Sequence, residues 1–426
     1  MKLNYKRTVL VGFAFFLICA FWSAYDAIVP LILTNRFDMD QGWSGVIMAL
    51  DNIFAVFMLP IFGAISDKTN SRFGKRTPFI VVGTVCAAIF FVFLGFAPSL
   101  ALFIGLLLLC LISMAVFRSP AVALMPDVTL KPLRSKGNAI INLMGTVGGA
   151  LTLVAGKIFH TGDAGKTDFG AYLISVSVLM LVSLAVFLLT VREPLWVAET
   201  QEQSKALGLD ETPEEKTAGG ALDPAKRRSL LFLLASVALW YIAYNAITSK
   251  YSVYASTVLH VEYTMTLLVA QGVALVAFLP VGMIATKIGR KKTILAGVIL
   301  LTVAFALGSF IKEGTPAILM YLLFSVAGVG WATINVNSFP MVVELASESD
   351  VGKYTGYYYT ASMAAQIVTP IFSGFLVDWL GWGIFFPYAA IFAALAFVTM
   401  LFVRHGDSKP VAEGDALERL GAMDAD

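Results

Sequence analysis

Four ionisable side chains stand inside long apolar stretches: Asp26, Asp51, Arg118 and Lys250. Charge is expensive in hydrocarbon, so each is a candidate for function. A carboxyl withdrawn from water holds its proton more firmly than one in water and can load and release it near neutral pH. At a helical rise of 1.5 Å per residue, Asp26 lies about 18 residues, or about 27 Å, into the first run, and Asp51 about 15 residues, or about 22 Å, from the same side in the second. The two acids can therefore share a depth. Alternatively, one or both cap helix ends in water. Arg118 could hold the hydroxyls or carboxylate of a ligand bidentately. It could equally form a structural ion pair with Asp127 or a helix end. Lys250 could close a gate with Asp26 or Asp51, or it could run its stem along apolar surface to the membrane interface. The second reading is slightly favoured.

Neutral polar and aromatic groups accompany these charges: Tyr25, Asn52, Tyr241, Tyr244, Asn245, Gln271, Trp331, Asn335, Asn337 and Gln366. A polyhydroxyl ligand needs many hydrogen bonds and a flat apolar face to lie on, so this set suits a sugar better than a drug or a lipid. Any one of them could instead bond neighbouring helices together. His160, His260 and His405 are scattered, and the sequence holds neither a His/Cys metal cluster nor a phosphate-binding Gly-Lys-Ser/Thr loop. No catalytic constellation, bound cofactor or use of ATP is expected.

The elements that must position these groups follow from composition. The 426 residues are 58% hydrophobic and 14% charged, with a mean hydropathy of +0.81. Soluble domains carry about 25% charged residues, so this is an integral membrane protein. The net charge of +2 gives no reason to expect a nucleic-acid partner. Twelve runs are long enough to cross a bilayer as helices, near 8–33, 43–66, 77–97, 99–123, 137–159, 169–191, 229–258, 264–286, 292–311, 316–342, 355–379 and 383–403. The first is too long for a signal peptide. Cys19, Cys86 and Cys110 all fall within apolar runs, so no disulfide framework is expected.

Basic residues concentrate in the 2–3, 4–5 and 8–9 loops, which puts both termini in the cytoplasm. Residues 192–228 are polar and mixed in charge. They divide an N-terminal six-helix half (1–191) from a C-terminal half (229–404), and a polar tail (405–426) follows. Linker and tail are both expected to be partly disordered.

The halves echo each other. Gly63-x-x-x-Asp67-Lys68 followed by Arg72-Phe73-Gly74-Lys75-Arg76 is answered by Gly282-x-x-x-Thr286-Lys287 followed by Gly289-Arg290-Lys291-Lys292. In the first copy Asp67 can pair with Arg72 or Arg76 and with a helix start from the other half, latching one side of the bundle. Gly63 would allow close helix approach. Lys75 and Arg76 also serve orientation. The second copy, with Thr286, should latch more weakly. Gly145 and Gly149 form a small-residue face suited to sliding against the other half.

On these features the sequence resembles the major facilitator superfamily over almost its whole length. The string from Gly63 to Pro78 resembles the glycoside–pentoside–hexuronide:cation symporters and the plant sucrose transporters. Arg118-Ser119-Pro120, Leu124-Met125-Pro126-Asp127, Tyr244-Asn245-Ala246 and Lys353-Tyr354-Thr355-Gly356 look similar to the same branch. The resemblance implies an all-α membrane protein of twelve transmembrane helices in two pseudo-symmetric halves. It also implies alternating access around a cavity lined by helices 1, 4, 7 and 10. Melibiose-type permeases carry two cation-binding acids in helix 2, where this sequence has Ala55 and Leu59. Their helix-4 acid falls on Arg118, and the sucrose transporters' helix-4 Arg falls on Val122. These departures count against a melibiose-type sodium site and leave sucrose as one candidate among others.

The expectation is a monomeric carrier in the plasma (inner) membrane. It would bring in a disaccharide or glycoside with a co-transported proton, rather than sodium, handled by Asp26 and Asp51. A drug exporter or a lipid transporter on the same fold is the alternative.

Overall fold

A computed structural model describes residues 3–130, 133–163, 165–207, 224–345 and 351–406. Among them there are helices, turns and no strand. The first half holds α1 (Tyr5–Asn35), α2 (Gln41–Lys68), α3 (Thr77–Leu94), α4 (Leu100–Asp127), α5 (Arg134–Ile158) and α6 (Gly170–Thr190). A short α7 (Glu193–Ala206) leads on to α8 (Pro224–Thr248) and α9 (Tyr251–Thr257). The second half continues with α10 (Thr264–Ile288), α11 (Arg290–Gly308), α12 (Ala317–Val343), α13 (Val351–Leu380) and α14 (Phe385–Leu401).

Eleven helical stretches among the described residues are long and apolar enough to cross a membrane, with α8 and α9 counted together as Pro224–Thr257. The 25-residue α10, apolar over Thr264–Phe278, takes the eighth place. The outer faces carry side chains that a water-soluble fold would bury: Leu189, Phe310, Val276 and Trp379 are each more than 70% exposed. Such a belt is stable only against lipid.

Two features differ from the sequence reading. The segment 192–228 is not simply a polar connector, because Glu193–Ala206 is helical; residues 208–223 lie outside those described, as does the tail beyond 406. The seventh run is also broken, at Ser249 and Lys250, between α8 and α9.

The start of α1 and the end of α14 lie at one end of the bundle. There Arg7 pairs with Glu199 of α7 and stacks over Trp196 at 4.9 Å. The Ser229 hydroxyl is 2.9 Å from Nδ1 of His405 at the same end. This is called the terminal end below, and the opposite end the far end.

The halves meet tightly at the far end. The carboxylate of Asp378, near the end of α13, accepts the backbone N–H groups of Gln41 and Gly42 at 2.8 and 2.6 Å, capping α2. A Cβ on Gly45 would overlap the backbone carbonyl of Pro370, and one on Gly374 that of Gln41, so α2 and α13 touch backbone to backbone. The hydroxyls of Thr161 and Tyr263 join the halves at 2.8 Å. Toward the terminal end, by contrast, α2 turns Phe57, Ile61 and Ile65 outward.

Gly145 does not face the other half as its spacing suggested. It lies against Cys19 of α1, and neighbouring Gly148 against the Phe16 carbonyl, so these glycines lock α5 onto α1. Gly149 does reach across, toward the Gln271 amide.

Candidate transport site

Two cavities lie between the halves, the larger mainly apolar and the smaller mainly polar. The larger, about 320 Å³, is lined by Ser23 and Asp26 of α1, Thr146 of α5, Tyr244 and Thr248 of α8, and Ser252 of α9. Gln271 of α10 and Trp331 of α12 complete its polar and aromatic wall, among apolar neighbours. Tyr244 and Trp331 stack in parallel with centroids 3.8 Å apart, a double aromatic wall. Tyr241 meets the same indole edge-on at 5.2 Å. The smaller cavity, about 80 Å³, is lined by Asp26, Asp51, Asn52, Asn245, Thr248, Ser249 and Gln366, with Met48 and Pro370. Asp26 and Thr248 line both.

Helix geometry explains why the acids converge. Asp26 comes near the end of α1 and Asp51 an equal distance after the start of α2, each about 14 Å below the far end. Asp26 lies deep in the bundle with its side chain open to the cavities. Asp51 accepts from the backbone N–H and the side-chain amide of Asn52 at 2.6 and 2.8 Å through one oxygen. Arg118, from α4, is near enough to attract both carboxylates. Its guanidinium lies 5.5 Å from the centroid of the Trp22 ring. It has no Asp127 partner, because Asp127 is taken by Arg76 and Lys75.

Of the residues the sequence singled out as ligand contacts, Tyr244, Gln271 and Trp331 line the larger cavity, and Asn52, Asn245 and Gln366 the smaller. Tyr25, Arg118, Tyr241 and Asn335 line neither. Tyr25 is fully buried against Phe21 and Trp22. The Tyr241 hydroxyl is 3.5 Å from that of Tyr358. The Asn335 amide oxygen is buried without a hydrogen bond, and Asn337 donates to the Thr333 carbonyl at 2.9 Å.

Lys250 corrects the snorkelling reading. Its side chain is 1% exposed and donates to the Gln41 carbonyl at 2.8 Å, close to Asp378. Neither Asp26 nor Asp51 is its hydrogen-bond partner; the buried ammonium sits instead inside the far-end seal. Sequence reasoning overlooked Asp378, although it ends an apolar run and the rule that drew attention to Asp26 applies to it equally. Serines and threonines of the cavities, such as Ser252 with its buried and unpartnered hydroxyl, carry no sequence signal of their own.

At the terminal end the loop motif is a compact ion-pair cluster. Arg76 is 4% exposed. It pairs with Asp67, donates to Asp127 at 2.9 Å and to the Ser66 hydroxyl at 2.7 Å. Arg72 is not the partner of Asp67; it stacks over Phe73 at 4.5 Å. Gly63 opens toward Ser119 of α4, within its own half. The Thr286 side chain, on which the weaker second latch depends, lies outside the described residues.

Glu193, which no sequence pattern distinguished from the linker, caps α3. Its carboxylate accepts from the backbone N–H groups of Lys75, Arg76 and Thr77 and from the Thr77 hydroxyl, all at 2.7–2.8 Å. Gly74, at φ +106, is the turn that lets the chain fold over this carboxylate; a side chain there would be strained and would overlap Glu193.

Two expectations follow. Glu193→Ala strands several buried donors and should cost on the order of 3 kcal/mol, read as a lower melting temperature of the purified protein. Unchanged melting would refute the cap. Arg76→Ala leaves Asp67 and Asp127 facing each other and should cost on the order of 3 kcal/mol, whereas Arg72→Ala should cost under about 1 kcal/mol. Equal losses in the same melting experiment would contradict this division of labour.

Twelve spans in two halves around shared cavities, with no catalytic cluster among the described residues, define a membrane carrier of the major facilitator fold. The chain belongs to the MFS/sugar transport protein family, whose profile matches residues 10–380. It is a transporter and not an enzyme.

An uncharacterized MFS-type transporter of Methanocaldococcus jannaschii is 22% identical over 413 residues, 93% of this chain and 95% of that one. The chloramphenicol resistance protein CraA of Acinetobacter baumannii is 31% identical over 128 residues, 30% of each chain. The general alpha-glucoside permease of Schizosaccharomyces pombe is 32% identical over 62 residues, 15% of this chain and 11% of that one. The chain thus spans under a third of the length of these last two relatives. Among solved structures, a variant of the nucleoside transporter NupG superposes with a TM-score of 0.70 at 14% identity, covering 93% of this chain and all of that one. The inward open conformation of the xylose transporter XylE from E. coli gives 0.67 at 16% identity, covering 98% and 99%. At these identities the likeness shows the fold alone.

Proposed function

We propose that the protein is a proton-coupled symporter of a sugar, a disaccharide or glycoside, that works by alternating access. One observation carries the reading: Asp26 lines both the small acid-bearing cavity and the large aromatic-walled one. A proton on this carboxyl and a sugar in the larger cavity would then sense each other directly, which is the linkage a symporter needs. The stacked Tyr244 and Trp331 rings offer apolar area for a sugar face, and Ser23, Thr146, Thr248, Ser252 and Gln271 offer hydrogen bonds. The family profile and the local match to a glucoside permease support a sugar.

Asp26 and Asp51 would carry the proton. The Asp67–Arg76–Asp127 cluster would latch the terminal side, and Lys250 with Asp378 the far side. The basic 2–3 and 8–9 loops argue that the terminal end faces the cytoplasm, and we infer a monomer in the plasma (inner) membrane.

The test uses de-energised cells expressing the protein, given a panel of disaccharides and glycosides while external pH is followed. Transient alkalinisation with one sugar, abolished by a protonophore, is expected. The match to the chloramphenicol resistance protein favours a second reading, proton-coupled export. Chloramphenicol-driven dissipation of a pH gradient in inverted vesicles, with no response to any sugar, would establish export and overturn symport.

A further inference from the structure

The larger cavity has two unlike ends. On the side of the first half its wall carries Ser23, Asp26 and Thr146, and Gln271 turns its amide to the same side, toward Gly149. On the side of the second half the wall turns to carbon, with Leu267, Phe278, Phe305, Phe324 and Ala327. Phe324 packs there against Tyr251 at 4.2 Å between centroids.

Phe305 shows how deep this second end runs. It belongs to α11, which packs on α10, α12 and α14, all within the second half. A cavity that reaches α11 has passed beyond the interface between the halves and into the body of one of them. Rocking of the halves needs no such extension. A ligand with an apolar group to bury would use it.

The two ends make unequal demands on a sugar. A ring with a hydroxyl on nearly every carbon finds partners on the first-half side. A second ring, pushed on toward Phe305 and Phe324, would lose its water there. Ser252 of α9, whose hydroxyl is buried without a partner, could satisfy one of its hydroxyls and not the rest. Buried polar groups left unpaired are costly, whereas a carbon ring or short chain gains by leaving water. The volume, about 320 Å³, is at the lower limit of ligand pockets, which span roughly 300–1,000 Å³. It suits one sugar ring and one small group, not a long chain.

We propose that the second-half end of the larger cavity is an aglycone pocket, and that the substrate is a monosaccharide glycoside bearing one aromatic or short alkyl group. The sugar lies toward Asp26, and the aglycone lies among Phe305, Phe324 and Ala327. This rests on the assignment of the larger cavity to a sugar made above and narrows it, selecting a glycoside over a disaccharide. Asp26 then meets the sugar alone, and the aglycone sets affinity from the other half.

The experiment is calorimetric titration of the purified protein in lipid nanodiscs, with empty discs as the blank. The probes are paired methyl and phenyl glycosides of glucose, galactose and xylose, in both anomers. For at least one sugar the phenyl glycoside should bind about tenfold tighter than the methyl glycoside or better. Ala327→Leu, which fills the pocket, should bring that ratio to about one. Phe305→Leu, which enlarges it, should raise binding of the 2-naphthyl glycoside relative to the phenyl by about tenfold. Each result is a ratio between ligands on one protein, so partial loss of folded protein does not imitate it, and either variant suffices should the other not fold. Equal binding of the phenyl and methyl glycosides, a ratio unmoved by both substitutions, or benzyl alcohol binding as tightly as the phenyl glycoside would each overturn the assignment. Disaccharide-driven alkalinisation without a preference for phenyl glycosides would refute this pocket and leave the symport reading standing. A substitution-sensitive phenyl preference in a protein that moves no proton with any glycoside would do the reverse.

Discussion

Asp51→Asn should abolish concentrative uptake while leaving the exchange of internal for external substrate intact. The substitution keeps the shape of the side chain and an oxygen able to accept from Asn52, as Asp51 does. It removes only the capacity to take up and release a proton. One charge moved across about 100 mV is worth about 2.3 kcal/mol, or about 50-fold in accumulation. Loss of coupling should therefore lower the steady-state accumulation of substrate by at least that factor, toward equality across the membrane.

Asp26→Asn should lose the same accumulation and weaken substrate binding as well, because this carboxyl also lines the larger cavity. The pair of variants thus separates coupling from recognition. Radiolabelled uptake and counterflow in proteoliposomes measure both quantities. Normal concentrative uptake in the two variants would end the assignment of these acids to coupling.

The ease with which these residues were found, and others missed, has a physical basis. A carboxylate inside an apolar run stands out because hydrocarbon penalises charge wherever the helix packs, so Asp26 and Asp51 are legible from one helix at a time. The spans are legible for the same reason: bilayer thickness dictates their length. Partnerships between distant segments are not. Lys250 meets the Gln41 carbonyl only because α8 breaks at Ser249 and α2 begins beside it, and nothing in either segment encodes the other.

Glu193 sits in a segment whose composition reads as linker, yet it reaches back to cap α3. The loop motif was legible as a cluster but not in its pairing. Both Arg72 and Arg76 are close enough in sequence to reach Asp67, and burial among Ser66, Asp67 and Asp127 selects Arg76. Small residues show the limit most clearly. Gly145 and Gly149 share one helical face, yet Gly145 lies against α1 in its own half while Gly149 lies between Ser23 of α1 and Gln271 of the other.

Gly45 drew no notice in the sequence, and its replacement by Ala should be among the most damaging single-methyl changes in the chain. A Cβ at this position would overlap the carbonyl oxygen and carbon of Pro370, which are backbone atoms and cannot rotate aside. Relief requires α2 and α13 to move apart. That movement would draw the N–H groups of Gln41 and Gly42 away from the Asp378 carboxylate and the Gln41 carbonyl away from Lys250. A buried ammonium and a carboxylate deprived of these partners favour water over the interface, so the far end should stay open.

Gly42→Ala is the comparison, because the three atoms nearest a Cβ there belong to the ring of Phe375, a side chain, where the Gly45 Cβ meets backbone. Transport by Gly45→Ala should fall about 100-fold, corresponding to about 2.7 kcal/mol against the closed far end. Gly42→Ala should stay within about threefold of the parent on the same scale. The readout that separates a held-open carrier from a misfolded one is thiol labelling. With Cys19, Cys86 and Cys110 replaced by Ser, Ser23→Cys in the larger cavity should react with a membrane-impermeant maleimide from the far side quickly in Gly45→Ala and slowly in Gly42→Ala. Normal transport by Gly45→Ala, or equal labelling in the two proteins, would mean that the backbone contact between α2 and α13 does not seal the carrier.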